Sequence, residues 1–136
     1  MLKKTIKYVD FDGNEQTDDF YFNLTETELT RLNASYPNGL ANYIQHAIRT
    51  GNATVIMPLF ENIILSAYGE KSFDGKRFIK SEQAKEEFMQ TMAYDTLVRE
   101  LLSDSTGRAA MEFLSQIIPT RLADQVRASN NNFIAN

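Results

Sequence analysis

The chain has 136 residues, 43% of them hydrophobic, and is therefore long and apolar enough to bury a core without disulfide bonds. It contains no cysteine, which excludes disulfide frameworks, cysteine-based zinc sites and thiol nucleophiles. It contains one histidine, which excludes most metal and catalytic sites that are built from several histidines. The net charge of −4 argues against sequence-independent binding to DNA or RNA, and the lack of a membrane-length apolar run or a signal peptide predicts a soluble cytoplasmic protein.

The first predicted element is a β-hairpin over residues 4–24. Asp12-Gly13 supplies its turn, because glycine accepts the positive φ that a tight turn requires. In the second strand, the alternation of side chains places three apolar residues on one face, namely Phe20, Phe22 and Leu24. An isolated two-stranded hairpin is marginal in water, so this row must pack on the following helices or on a partner chain, and we favour the helices.

Three helices are predicted to follow the hairpin. Thr25 and Glu28 have the spacing of a capping box at the start of the first, which is short because a Pro-Asn-Gly sequence breaks it. The next two cover residues 40–50 and 54–68. Pro58 is expected within the first turn of the last one or just beyond it, where a missing N–H costs less.

The segment from residue 70 to residue 80 interrupts the helical pattern. Asp74-Gly75 predicts a turn, and residues 76–80 are too short and too basic for a core helix. We interpret this segment as an ordered excursion, such as a small hairpin.

The remaining predicted elements are helical. Ser81 caps a stretch that fits either one long helix or two shorter ones with a break near residues 90–91. A last helix is predicted over residues 106–118, with Asp104 or Ser105 as its N-cap.

These elements predict a mainly α chain with an N-terminal β-hairpin, that is, a small α+β helical bundle. We expect a single domain over residues 1–128, in which residues 25–128 form the helical part and residues 69–80 a loop. Residues 129–136 include an asparagine run with no apolar face and are expected to form a flexible tail.

No residue pattern predicts a catalytic, cofactor or metal site. His46 falls on the polar flank of its predicted helix, and the carboxylate pairs at residues 18–19 and 86–87 are interpreted as solvated charge. The nucleophile-elbow, P-loop, dinucleotide-binding and zinc-protease motifs are absent. We therefore expect a protein that is not an enzyme and carries no cofactor.

Cations and aromatic side chains alternate in the interrupting segment. The cations are Lys71, Lys76, Arg77 and Lys80, and the aromatic residues between them are Phe73 and Phe78. Such a mixture can bind single-stranded nucleic acid by charge and stacking, which keeps open a small regulatory or nucleic-acid-binding adaptor that uses residues 71–80. The acidic residues in the same segment and the net negative charge weigh against nucleic acid as a partner.

The same part of the chain carries a family resemblance. Residues 67–81, AYGEKSFDGKRFIKS, resemble a motif of the tail assembly chaperones of siphophages that infect Gram-positive bacteria. Residues 3–8 and 19–24 are similar to the N-terminal hairpin of that family, and positions in residues 91–119 are similar to its C-terminal half in order and spacing. The resemblance covers residues 1–122.

The resemblance implies a non-enzymatic role in virion assembly. Chaperones of this kind bind the long tape measure protein in the host cell cytoplasm, keep it soluble while tail tube subunits polymerise around it, and are absent from the mature virion. The implied partners are the tape measure protein and the tail tube protein, with a frameshifted longer version of the chain and self-association as further ones. The resemblance implies no cofactor and no membrane.

Within this interpretation, residues 68–80 are the candidate protein-binding loop. Gly69 and Gly75 would form its turns, and three cations would face a partner. Phe78 and Ile79 would hold the loop to the core. The predicted protein-binding residues are Tyr68, Gly69, Lys71, Asp74, Gly75, Lys76, Arg77, Phe78 and Ile79. The alternative is that the segment only connects two helices.

Overall fold

Two antiparallel strands open the structure, a computed structural model that describes residues 1–119. Strands β1 (Leu2–Val9) and β2 (Glu15–Phe22) pair along their whole length, which confirms the predicted N-terminal hairpin. Side chains also join the two strands. The Tyr8 hydroxyl donates a hydrogen bond to the Asp18 carboxylate at 2.5 Å, and this bond raises the pKa of Tyr8 to about 12.

Three helices follow the hairpin, α1 (Glu26–Ala34), α2 (Leu40–Thr50) and α3 (Ala53–Ala67). The capping box at α1 is confirmed in both directions. The Glu28 N–H donates to the Thr25 hydroxyl oxygen at 3.1 Å, and the Thr25 N–H donates to the Glu28 carboxylate at 2.9 Å. Two of the N–H groups that a helix start leaves without partners are thereby satisfied.

Helix α3 begins one residue earlier than predicted, and Pro58 lies in its second turn, just beyond the first turn as expected. A proline at this place gives no N–H to the carbonyl of Thr54, four residues before it. Both residues are exposed, so water can satisfy that carbonyl.

A second hairpin completes a four-stranded antiparallel sheet. It consists of β3 (Tyr68–Lys71) and β4 (Phe78–Ile79), and β3 pairs with β2 only through Tyr21 and Phe22. The strand order is β1-β2-β3-β4. The small hairpin predicted for this segment is confirmed, and its attachment to the N-terminal sheet goes beyond the sequence prediction.

The stretch after Ser81 forms two helices, α4 (Glu82–Met89) and α5 (Met92–Leu102), and α6 (Arg108–Ile117) follows them. The predicted break near residues 90–91 is confirmed, and the two-helix alternative is the correct one.

The start predicted for the last helix is wrong by two residues. Its N-cap is Gly107, which adopts a left-handed φ of 77°, rather than Asp104 or Ser105. The Asp104 carboxylate instead closes the turn before the helix by accepting the N–H groups of Thr106 and Ala109. A left-handed φ is strained for any residue that has a Cβ, so glycine is favoured at this position. Because Gly107 is not helical, the helix begins only at Arg108.

One hydrophobic core joins the sheet to the helices. The apolar row predicted on the second strand faces inward, since Phe22 and Leu24 are buried and the Phe20 ring centroid lies 5.1 Å from that of Phe88. The row therefore docks on helices of its own chain, as predicted. The helices contribute further buried side chains, among them Leu29, Ile44, Ile64, Leu97 and Ile117. The fold class is the predicted one, mainly α with an N-terminal sheet.

In residues 1–119, no helix has both the length and the apolar character needed to cross a membrane. The predicted domain end at residue 128 and the predicted tail at residues 129–136 lie outside the described residues.

Candidate protein-binding loop

Hydrogen bonds among its own residues fix the turn that joins β3 to β4. The Gly75 N–H donates to the Ser72 carbonyl at 2.9 Å, and the glycine adopts a φ of 74°. The Ser72 hydroxyl donates to the Asp74 carboxylate at 2.6 Å and accepts the Arg77 N–H at 2.9 Å. The Lys76 N–H donates to the same carboxylate. The bonds from Ser72 and Lys76 lower the pKa of Asp74, so the ionised carboxylate holds the turn at neutral pH.

Gly69 has a different role from the one expected. It lies inside β3 with no positive φ, so the prediction that it forms a turn is wrong. A Cβ added there would lie 2.7 Å from Cε2 of Phe78 and 2.9 Å from the carbonyl oxygen of Ile79. Glycine is required because β4 passes too close to β3 for any side chain.

The loop is held to the core by only part of the predicted set. Tyr68 is buried and stacks on Phe88 with ring centroids 4.2 Å apart, and Phe78 is half-buried against Gly69. Ile79 is 36% exposed, so the expectation that it holds the loop to the core is wrong. Successive strand residues point to opposite faces, so Phe78 and Ile79 cannot both face inward.

Three cations of the loop face outward, as expected. Lys71, Lys76 and Arg77 are exposed, and the Lys71 ammonium lies 5.0 Å from the centroid of the Tyr21 ring on the neighbouring strand. A cation over an aromatic ring is favourable by about 0.5–1 kcal/mol at an exposed site. The three charges therefore form a cationic rim on a rigid hairpin.

The fourth cation of the segment points the other way. Lys80 Nζ donates to the carbonyl oxygens of Asn23 at 2.6 Å and Ser66 at 2.8 Å and to the Glu28 carboxylate at 2.8 Å. Asn23 directly follows β2, Ser66 lies at the end of α3, and Glu28 lies in the first turn of α1. Lys80 thus ties the end of the candidate loop to three other elements.

Burial and charge act against each other in this ion pair. Burial lowers the pKa of Lys80, and the bond to Glu28 opposes the shift. Burial also acts to raise the pKa of Glu28, but the hydrogen bonds from Lys80 and Thr25 outweigh it and hold that pKa below its ordinary value. The short distance of 2.8 Å between Lys80 Nζ and Glu28 Oε2 is that of an ion pair.

The predicted site residues therefore lie in one hairpin but play two roles. Tyr68, Gly69 and Phe78 position the hairpin, while the cationic rim and Ile79 face solvent. That they bind a protein stays a prediction. The sequence interpretation gave Lys80 no structural role, and no local pattern relates it to Glu28.

Residues 1–119 contain no group of three or more histidine and carboxylate side chains placed to hold a metal ion. His46 is exposed on α2, with its ring 5.8 Å from that of Tyr43. What the loop can provide is a rigid, charged surface for another molecule.

Comparison with protein families decides what kind of molecule this is. A family model described as phage tail assembly chaperone matches residues 1–133. The chain belongs to this family. Comparisons with curated proteins and with solved structures found no match.

The family match confirms the predicted resemblance to tail assembly chaperones, and the matched residues include the whole candidate loop. Tail assembly chaperones are generally not enzymes. The adaptor alternative loses one of the four cations on which it was based, because Lys80 is occupied inside the fold. We therefore develop the chaperone function alone.

Proposed function

We propose that this tail assembly chaperone binds the tape measure protein of its phage and keeps it soluble while tail tube subunits polymerise around it. The family match over residues 1–133 is the observation that carries the proposal. The chaperone acts by binding and catalyses no reaction. It works in the host cytoplasm of a siphophage of Gram-positive bacteria and is absent from the mature virion. The tail tube protein, a frameshifted longer version of the chain and self-association complete the proposed partners.

The physical reason for such a chaperone lies in its client. A tape measure protein is a long, largely helical chain, and its apolar stripes would aggregate if they stayed exposed before assembly. A small domain that covers those stripes by packing against them prevents this. The net charge of −4 on the chaperone helps to keep the loaded complex soluble.

The cationic rim of Lys71, Lys76 and Arg77 is the proposed contact for charged groups of the client. Its backbone is fixed by the hydrogen bonds of Ser72 and Asp74, so little conformational entropy is lost when a partner binds. Charges at the edge of an interface mainly set the rate and specificity of association.

The test is co-expression of the chain with the tape measure protein. The wild-type chain should raise the amount of soluble tape measure protein and co-purify with it. The double variant Lys76→Glu/Arg77→Glu should fold normally, because these side chains are exposed, and should bind about tenfold more weakly. Circular dichroism checks the folding.

A matched control reverses two cations elsewhere. Lys3→Glu/Lys7→Glu changes the net charge by the same amount on exposed positions of β1 and is expected to bind as the wild type does. Unaltered binding by the loop variant would show that Lys76 and Arg77 do not contact the client. Failure of the wild-type chain to change solubility or to co-purify would reject the proposed function itself.

A further inference from the structure

The two hairpins of the sheet turn on the same tripeptide. Phe-Asp-Gly occupies residues 11–13 in the first hairpin and residues 73–75 in the second. The glycine N–H closes each turn on the carbonyl three residues before it, at 3.1 Å in the first and 2.9 Å in the second. The glycines have φ values of 83° and 74°. Each hairpin therefore has a four-residue β-turn that ends in a left-handed glycine. In both turns the phenylalanine is the first of the two central residues.

Both phenylalanine rings point into solvent. Phe11 is 80% exposed, Phe73 is fully exposed, and neither packs against the hydrophobic core. A single exposed apolar residue on a protein surface is ordinary and needs no explanation. Two phenylalanines in the same position of the same turn, each held away from the core, form a repeated feature that folding alone does not require.

Different side chains fix the same backbone in the two turns. In the first, the Asp10 carboxylate accepts the N–H groups of Asp12 at 3.0 Å and Asn14 at 2.9 Å. In the second, the Ser72 hydroxyl and the Asp74 carboxylate share that task, as described above. Each ring is therefore presented on a preorganised backbone, which reduces the entropy lost on binding.

The two turns lie at the same end of the sheet. β1 and β3 are each antiparallel to β2, so they run in the same direction. Leu2, Phe22 and Tyr68 are in register at the other end. β1 extends four residues further than β3 from that line, so the Phe11 turn is separated from it by more strand residues than the Phe73 turn is.

The surroundings of the two rings carry opposite charge. Residues 10–15 hold three carboxylates and no cation, whereas residues 71–77 hold three cations and one carboxylate. A partner that receives both rings would therefore present positive charge beside one and negative charge beside the other.

We propose that Phe11 and Phe73 are paired apolar anchors that insert between apolar side chains on the surface of one client chain. The client is a helical polypeptide whose apolar stripe is flanked by cations where it receives Phe11 and by carboxylates where it receives Phe73. Large aromatic side chains inserted into a partner carry most of the affinity of many interfaces. This inference rests on the proposed function, because the client is the same protein, and it assigns the apolar contacts to two turns rather than to the cationic rim.

The test uses the full chain co-expressed with the tape measure protein. Phe11→Ala and Phe73→Ala should each reduce the recovered complex by about tenfold, and the double variant should abolish it. Phe11→Leu/Phe73→Leu keeps apolar bulk and should restore most of the binding. Thermal unfolding should be unchanged in all variants, since both rings are exposed.

Met89→Ala is the matched control, since it removes a 45% exposed apolar side chain from α4 and should bind as the wild type does. If the wild type binds and the double alanine variant binds equally well, the anchors are wrong while the proposed function stands. If the wild type does not bind, the function fails and the inference with it. Sedimentation of the chain without the tape measure protein gives the remaining outcome. If the wild-type chain is an oligomer and the double alanine variant is a monomer, the rings contact a second copy of the chain, which also overturns the proposal.

Discussion

Glu28 uses its two carboxylate oxygens for two different parts of the fold. Oε1 accepts the N–H of Thr25 at the start of α1, and Oε2 accepts the ammonium of Lys80 at the end of the candidate loop. A single residue thus caps a helix and positions a hairpin.

We expect Glu28→Gln to destabilise the fold by about 1 kcal/mol at neutral pH, after allowance for solvent screening, because Lys80 loses its counter-charge. The hydrogen bonds from Lys80 and Thr25 lower the pKa of Glu28 from 4.5 against the effect of burial. A carboxyl with a lowered folded-state pKa stabilises the fold above its unfolded value, and the contribution is lost as the pH falls through the folded value. Urea unfolding should therefore show a difference in stability between wild type and variant at about pH 7, and this difference should close at an acid pH below the folded-state pKa of Glu28.

Glu86→Gln provides the control, because Glu86 is exposed on α4. This variant should unfold like the wild type at both pH values. A stability gap for Glu28→Gln that persists at the acid pH would contradict the role assigned to its charge.

At the scale of residues, local patterns were predictable and long-range ones were not. The capping box of Thr25 and Glu28 follows from a spacing of three residues and is confirmed. The bond from Lys80 to Glu28, and the need for glycine at Gly69, depend on elements that meet only after folding. No spacing in the sequence encodes them.

Helix α3 contains a proline in its second turn and still forms fifteen residues of helix. Its stability comes from the apolar face, which buries Leu59, Ile63 and Ile64 among others. Packing of such a face contributes more than helix propensity does. The helix therefore tolerates Pro58 at the cost of one backbone hydrogen bond.

Pro58→Ala should stabilise the chain by about 2 kcal/mol, because it restores an N–H donor for the Thr54 carbonyl and removes the clash of the ring with that turn. The residue is exposed, so no core contact is lost. The midpoint of urea unfolding should rise with an unchanged slope. A lower midpoint would show that Pro58 stabilises the fold in a way that its surroundings do not reveal.

At the scale of elements, periodicity and turn chemistry predicted both hairpins and the helices. The start of α6 was missed because Gly107, rather than a capping side chain, sets it. The pairing of β3 with β2 was not predicted. It consists of only two residue pairs, at Tyr21 and Phe22 of β2, and their partners lie far away in the sequence.

Phe88 connects the sheet to the helices of the whole molecule. Its ring stacks on Tyr68 from β3 and lies within 6 Å of the ring centroids of Phe20, Phe22 and Tyr94. Aromatic pairs at these distances add to the stability gained from burial alone. One side chain thus joins β2, β3, α4 and α5.

We expect Phe88→Ala to cost about 3–5 kcal/mol, the usual loss when a buried phenylalanine is truncated. Far-ultraviolet circular dichroism and tyrosine fluorescence should report one coincident transition, shifted to lower urea, because sheet and helices share this core. Met89→Ala, at the next and exposed position, should change stability by less than about 0.5 kcal/mol. Separate transitions for the two probes would show that sheet and helices unfold independently.

At the scale of the whole molecule, composition and the row of Phe20, Phe22 and Leu24 were sufficient to predict one shared core. The aromatic cluster around Phe88 was not predictable, because it draws on residues from four elements whose relative placement only the fold determines.

The brief contact between β2 and β3 has a consequence for how the molecule behaves at high concentration. β3 pairs only with Tyr21 and Phe22 of β2. Within residues 1–119, the edge of β2 that faces away from β1 therefore has no neighbouring strand from Glu15 to Phe20. Open backbone of this kind recruits strands from other molecules and leads to aggregation. The carboxylates of Glu15, Asp18 and Asp19 repel an identical stretch on another copy, so this strand edge carries its own protection against pairing with a second molecule.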